Sequence, residues 1–242
     1  KYPYQFLMDN MKIQNNLIDG AFKYFVEKFI FLGSSCIYPK FAPQPLKEKY
    51  LLTSSLEPTN QWYAISKISG VKACEAIKKQ YKKDYISLMP TNLYGYNDNF
   101  DLNSSHVIPA MIRKFHDAKV KNFSTVILWG SGTPMREFLF VDDLAKSVVF
   151  AMENNLKESL YNIGSGKDIT IKKLAEIIKK IIGFKGDILW DKSKPDGTPK
   201  KLMDVSKMEK IGWKYSIELE EGIEKTYKWF LDNIKNIKEN KI

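Results

Sequence analysis

Little in this sequence invites a metal, a disulfide framework or a membrane. Its 242 residues hold two cysteines, Cys36 and Cys74, and two histidines, His106 and His116, none at ligand spacing. No metal site is expected. No stretch approaches the ~18 uninterrupted apolar residues of a membrane span. The polar start Lys1-Tyr2-Pro3-Tyr4-Gln5 also lacks the apolar core of a secretory signal. The expectation is a cytoplasmic protein with no membrane partner. Arginine is scarce as well, with only Arg113 and Arg136 among 38 Lys+Arg. In so lysine-biased a chain, an arginine suggests a need for its rigid bidentate fork.

The net charge is +10. The lysines behind it are scattered from Lys23 to Lys241, with no basic stripe or interleaved aromatic platform, which argues against a nucleic-acid partner. At 44% hydrophobic, the chain can fill one large core or two modest lobes.

Met11, Leu17, Ile18, Ala21, Phe22 and Phe25 recur at helical spacing and lead into the apolar run Phe29-Ile30-Phe31-Leu32, which reads as a buried strand. After a loop rich in proline and polar residues, Ile68, Val71, Cys74, Ile77 and Tyr81 mark a second helix, followed by a strand from Tyr85 to Met89. Helix, strand, helix, strand predicts a parallel sheet with covering helices and ligands at the carboxyl ends of its strands.

Beyond Asn92 the pattern loosens into a second lobe. It holds a helix near Ile108 to Ala118, a strand Thr125 to Trp129 and a Gly130-Ser131-Gly132 turn. Asp142 or Asp143 is expected to cap one helix and Thr170 the next, with short strands at Leu160–Ile163 and Gly186–Trp190. Lys194 to Thr198 reads as a loop, and Ile217 to Ile234 as a final helix.

The fold class is therefore α/β: a Rossmann-type parallel sheet over 1–98 with a smaller α/β substrate lobe over 99–242, part of 136–164 returning to the sheet. One part of that fold is missing from the pattern. No G-x-G-x-x-G turn occurs before Ser34, and neither Gly130-Ser131-Gly132 nor Gly164-Ser165-Gly166 has the third glycine or the early position. The reading is an N-terminally truncated Rossmann fold in which Lys1 is internal to a longer protein. Weak cofactor affinity and an association-prone strand edge are expected of the piece alone.

The chemical signal lies at Tyr63-Ala64-Ile65-Ser66-Lys67, where tyrosine and lysine four apart share a helix face. Upstream, Ile30-Phe31-Leu32-Gly33-Ser34-Ser35-Cys36-Ile37-Tyr38-Pro39 is an apolar strand opening into a serine turn. A ketone reduced by hydride gains negative charge on oxygen, which must be hydrogen-bonded and then protonated. Ser34 suits the first task and Tyr63 the second. A free phenol titrates near pH ~10, so Lys67 is expected to bring it toward neutrality.

The serine turn, the Tyr-Lys helix and Pro90-Thr91-Asn92-Leu93-Tyr94-Gly95 together resemble the extended short-chain dehydrogenase/reductases. Further stretches narrow the resemblance to the GDP-L-fucose synthases. These are Leu56-Glu57-Pro58-Thr59-Asn60, Asn103-Ser104-Ser105-His106-Val107-Ile108-Pro109, Trp129-Gly130-Ser131-Gly132-Thr133-Pro134-Met135-Arg136-Glu137-Phe138 and Lys194-Pro195-Asp196-Gly197-Thr198-Pro199.

That resemblance implies an NADPH-dependent enzyme converting GDP-4-keto-6-deoxy-D-mannose to GDP-L-fucose, and a homodimer. It implies Cys36 as base and His106 as acid for epimerisation at the two carbons flanking the ketone, both of whose C–H bonds the carbonyl acidifies. It assigns Ser34, Lys67, Pro90, Thr91, Asn92, Leu93 and His106 to the cofactor, and Lys114, Trp129, Arg136, Asp196 and Lys201 to the substrate. From the residues alone, Cys36 also reads as a small buried side chain and His106 as a loop residue. Trp129 equally suits core packing, Lys114 and Lys201 a solvated surface, Asp196 a turn, and Pro90–Leu93 a plain strand end. Two rival readings remain: another extended reductase, such as a 4-epimerase or 4,6-dehydratase, and an inactive nucleotide-sugar-binding remnant.

Overall fold

The computed structural model describes residues 2–235 and residue 237, so Lys1 and Lys241 lie outside it. In chain order the elements are α1 (Pro3–Lys23), β1 (Lys28–Leu32), α2 (Gln61–Tyr81), β2 (Asp84–Pro90), β3 (Asn92–Tyr94), α3 (Val107–Val120), β4 (Thr125–Trp129), β5 (Met135–Phe140) and α4 (Val141–Glu153). They continue with β6 (Leu160–Ile163), β7 (Asp168–Thr170), α5 (Ile171–Ile182), β8 (Asp187–Asp191), β9 (Lys200–Lys201), α6 (Ser206–Lys210) and α7 (Leu219–Asn233). Among the described residues, no helix is long and apolar enough to cross a membrane.

The chain divides into two compact units. The first comprises residues 1–92, 144–166 and 202–215, and the second residues 93–143, 167–201 and 216–242.

In the first unit, β1, β2 and β6 form a parallel sheet in that order. Lys28 pairs with Asp84 and Leu32 with Leu88, so β1 and β2 end level with each other. The blunt end of the pair is fixed by charge. Asp84 lies 3.1 Å from Lys28 and 2.7 Å from Lys78. Lys28 also donates to the carbonyls of Ala151, Met152 and Asn154, where α4 runs out of internal partners.

Ile18, Phe31, Ile68, Val71, Cys74, Tyr85 and Met89 form the apolar core between helices and sheet. A polar pin crosses it: the buried Gln14 amide donates to the Ser66 carbonyl at 2.5 Å and the Ser69 hydroxyl at 2.7 Å. Several apolar positions fall elsewhere than the helical spacing predicts. Leu17 and Phe25 are exposed, because Ile18 and Gln14 take the inward face of α1 and the chain has already left the helix at Phe25, whose φ is 59°. Tyr81 is likewise exposed at the end of α2, and Leu32 at the strand's end.

In the second unit, β5 is flanked by β3, β7 and β9, while β4 pairs with β8 in parallel. Its core is aromatic and aliphatic, with Phe100 against Phe230 at 4.9 Å and Phe115 against Phe184 at 5.7 Å. Thr170 caps α5 as its sequence predicts, accepting from the Lys173 amide at 3.1 Å. Asp143 does not cap a helix. It lies inside the first turn of α4, fully buried, and accepts from the Ser216 hydroxyl and from the amides of Ser216 and Ile217.

Gly70 brings α2 close to β1, since a Cβ there would stand 2.4 Å from the Phe31 ring. Gly70→Ala is therefore expected to lower unfolding free energy by about 1–3 kcal/mol through overpacking. Urea unfolding checks this, read as a fall in midpoint at unchanged slope.

Candidate active site

Gly33 turns the chain out of β1 with its Cα packed against the end of the Met89 side chain. Its amide donates to the Leu88 carbonyl at 2.9 Å, and a Cβ would stand 2.1 Å from the Met89 methyl. Ser34 follows in extended conformation, and its hydroxyl oxygen accepts the Cys36 amide at 3.3 Å, capping a single 3-10 turn over Ser35–Ile37. That bond leaves the Ser34 O–H free to donate. Ser35, Cys36 and Ile37 are all buried.

Tyr63 and Lys67 come to the same strand end on the first two turns of α2. The Lys67 ammonium donates to the Leu32 carbonyl at 3.0 Å and stands 5.1 Å from the Phe31 ring centroid and 5.6 Å from that of Tyr63. Phe6 of α1 packs on the Tyr63 ring at 5.3 Å. Burial pushes the Tyr63 phenol up, and the charge of Cys36 pushes it further in the same direction. For Lys67, burial lowers the ammonium's pKa while Cys36 counteracts it. The thiol is thus within electrostatic reach of both side chains.

This departs from the expectation that Lys67 makes the phenol more acidic. Held on the Leu32 carbonyl, Lys67 is not among the causes of the Tyr63 shift, and desolvation dominates. The phenol is accordingly protonated at neutral pH, the form that gives a proton away. Beside it, β2 ends at Pro90, and the Thr91 amide donates to the Ile163 carbonyl at 2.9 Å; Thr91 is buried and Asn92 half-buried.

In the second unit, an Asx-type network builds the loop before α3. Asp101 accepts from the amides of Asn103 and Ser104 and from the Ser104 hydroxyl. His106 is the exposed N-cap residue of α3, and its charge is one of the influences on the Asp98 carboxyl, whose pKa burial raises. Leu93 lies in β3, half-buried.

Lys114 on α3 donates to the Ile127 carbonyl at 3.0 Å and stands 5.4 Å from the Trp129 ring. Trp129 is 62% exposed, so its ring is no core filler. Lys194 approaches the same ring at 5.6 Å. Sequence reasoning missed Lys194, since no spacing rule links a loop lysine to a tryptophan 65 positions earlier.

Arg136 and Lys201 are register partners on the parallel strands β5 and β9. Side-by-side cations cost stability unless an anion lies between them. The Arg136 guanidinium donates to the Met135 carbonyl, and among the described residues no carboxylate pairs with it within salt-bridge distance. Asp196 instead gives both oxygens to Ser131, at 2.7 Å to the amide and 2.8 Å to the hydroxyl, and these bonds hold its carboxyl below the usual range.

A serine–tyrosine–lysine–cysteine cluster at a parallel strand end in the first unit fits an α/β enzyme, and the second unit gathers cations about a tryptophan. The chain belongs to the NAD dependent epimerase/dehydratase family, whose model matches residues 1–164. More narrowly, it is similar to GDP-L-fucose synthases. It is 55% identical to a putative GDP-L-fucose synthase 2 of Arabidopsis thaliana over 96% of this chain and 71% of that protein. It is 52% identical to the GDP-L-fucose synthase of Escherichia coli K12, over 96% and 75%. A crystal structure of a GDP-L-fucose synthetase from Naegleria fowleri bound to NADP matches with a TM-score of 0.91 at 28% identity, covering 98% of this chain and 76% of that one.

Tyr63 should titrate above the ordinary 10.0 of a phenol, as read from the 295 nm difference between wild type and Tyr63→Phe. Cys36→Ser removes a nearby thiolate, so ionising Tyr63 becomes easier and its pKa should move down toward that value. A titration unmoved by Cys36→Ser would contradict the proximity of the two groups.

Proposed function

We propose that this protein converts GDP-4-keto-6-deoxy-D-mannose to GDP-L-fucose with NADPH, by epimerisation at C3 and C5 followed by reduction at C4. The observation that carries the proposal is the gathering of Ser34, Cys36, Tyr63 and Lys67 at one strand end. A plain reductase has no use for a thiol at that place.

NADPH, when bound, supplies the hydride that goes to C4. The residues present fit its nicotinamide end. Ser34, Lys67, Pro90, Thr91 and Asn92 lie at the carboxyl ends of β1 and β2, where such sheets hold their ligands, and the Lys67 ammonium has N–H bonds left for hydroxyl oxygens. Leu93 and His106 are the further cofactor contacts in this reading.

Cys36, as thiolate, takes the proton from the acidified C–H beside the ketone, and His106 returns one to the opposite face. Ser34 donates its O–H to the carbonyl oxygen, which carries the negative charge of each enolate and later of the alkoxide. Tyr63, protonated at neutral pH, gives its proton to that alkoxide once the C–H bond at C4 has formed. Lys67, held on the Leu32 carbonyl, turns its remaining N–H bonds to the cofactor.

Arg136 and Lys201 take the diphosphate, Arg136 through its two-pronged fork. Trp129, flanked by Lys114, walls the nucleotide, and Asp196 trades its Ser131 donors for ligand hydroxyls.

A homodimer is part of the same reading. Ile13 and Leu17 are 63% and 59% exposed along one outer stripe of α1, Tyr24 just past its end is 85% exposed, and Trp62 and Ile65 are exposed on the neighbouring α2. Leu17→Glu should then yield monomers by light scattering, whereas an unchanged mass would reject this face as the interface. The setting proposed is cytoplasmic, in keeping with two buried free thiols, Cys36 and Cys74.

The decisive assay incubates the full-length protein with GDP-4-keto-6-deoxy-D-mannose and NADPH, follows absorbance loss and identifies the sugar. GDP-L-fucose is expected; a reduced sugar with its original C3 and C5 configuration would make the protein a simple 4-reductase. Tyr63→Phe should slow reduction by about 10²-fold or more. Cys36→Ser should stop solvent-deuterium exchange at C3 and C5 while leaving the fold intact.

A further inference from the structure

The serine turn is anchored at both ends, and only the near anchor belongs to the chemistry described so far. There, the Gly33 amide bonds to the Leu88 carbonyl on β2. At the far end the Tyr38 hydroxyl donates to the side-chain oxygen of Asn162 on β6 at 2.5 Å. Both Tyr38 and Asn162 are buried, Asn162 completely.

Asn162 uses every hydrogen-bonding group of its side chain. Its amide nitrogen donates to the carbonyls of Leu46 at 2.8 Å and Asp204 at 3.1 Å. Its backbone N–H donates to the buried Glu48 carboxylate at 3.1 Å. The two segments it grips are bonded to each other as well, through Leu46 N–H to Leu202 and Asp204 N–H to Leu46. In register, Asn162 lies beside Met89, one residue from the end of β6, so the knot sits at the same end of the sheet as the serine turn. Burial holds the Tyr38 phenol far above its ordinary range, so it donates at every pH the protein meets.

We propose that Asn162 is a positioning residue that aims Cys36, by fixing through Tyr38 the far end of the turn on which the thiol sits. Apolar packing alone would bury the Tyr38 ring, but only a directional bond fixes its rotation and distance. Ser34 lies next to the near anchor, and Tyr63 and Lys67 are carried by α2. Cys36 is midway between the anchors, so slack at the far end falls on the thiol first. The inference rests on the epimerase-reductase reading and deepens it: epimerisation depends on this bond, while reduction largely does not.

The test is Tyr38→Phe, which removes one O–H and no packing, in the full-length protein. Two quantities are compared with wild type: solvent-deuterium exchange at C3 and C5 without NADPH, and the share of reduced sugar that keeps its original C3 and C5 configuration when NADPH is present. A misplaced base costs about 10- to 100-fold, so exchange should fall by that much and the share of unepimerised product should rise. Glu48→Gln keeps an acceptor for the Asn162 amide and should leave both readings unchanged. Asn162→Leu should shift the partition as Tyr38→Phe does, and circular dichroism confirms that each variant is folded. Equal losses of exchange and reduction in folded Tyr38→Phe, or no loss of either, overturn the positioning role alone. Wild-type protein that neither exchanges nor reduces the sugar overturns the functional reading beneath it.

Discussion

The level pairing of β1 with β2 governs what the first unit can do. Side chains alternate across a strand, so a slip of one residue would turn Phe31 away from α2 and carry the serine turn off the carboxyl end of β2. Two devices oppose such a slip. At the start of the pair, Asp84 is gripped by Lys28 and Lys78, and Lys28 is also committed to three carbonyls at the end of α4. At the finish, the Gly33 amide meets the Leu88 carbonyl at 2.9 Å. Polar bonds thus set the alignment, and the apolar core supplies the bulk of the cohesion.

The electrostatic character of the two units differs in a way that suits different tasks. In the first, charges near the reactive groups are few and partly desolvated. Tyr63 is held protonated by burial, and Lys67 spends a hydrogen bond on a main-chain carbonyl rather than on an acid. In the second, cations gather in pairs: Arg136 beside Lys201 with Asp196 in electrostatic reach of the guanidinium, and Lys114 and Lys194 about one indole ring. Cations set side by side repel one another in the free protein and favour an arriving polyanion. The scarcity of arginine in the chain makes the placement of Arg136 more telling than any one lysine.

Local signals were legible in the sequence and non-local ones were not. Thr170 before an amphipathic run predicts its own cap, because donor and acceptor lie three residues apart. The alternation of the first ninety residues likewise predicts the order of helices and strands and places both strands within a residue of their bounds, while α1 begins at Pro3, eight residues before the first marked position, Met11. The strands β5, β7 and β9 escape, since Met135–Phe140 shows no clear alternation and two-residue β9 exists only because Arg136 and Lys201 pair across 65 positions. Spacing alone sends Leu17 and Phe25 inward, yet a glutamine, Gln14, holds part of the inward face. Asp143 suits a cap by its place at the start of an apolar run, but it lies inside the first turn of α4 and takes donors from residues 73 and 74 positions away. The serine turn and the Tyr-Lys helix are legible as local motifs, and Ser34, Cys36, Tyr63 and Lys67 come to one strand end, although Lys67 does not acidify Tyr63 as its spacing suggests. The Asn162 knot was not, because its partners lie in three separate segments.

Gln14 gives α1 a setting as well as a place. Sliding α1 along α2 by one helical turn, about 5.4 Å, would strand its buried amide away from both Ser66 and Ser69. The same setting puts Phe6, two turns earlier, onto the face of the Tyr63 ring. One residue inserted between Phe6 and Gln14 would rotate Phe6 by about 100° around the helix and uncover the phenol, though no residue of the serine turn would have changed. The count of residues between these two positions is therefore as constrained as the residues themselves.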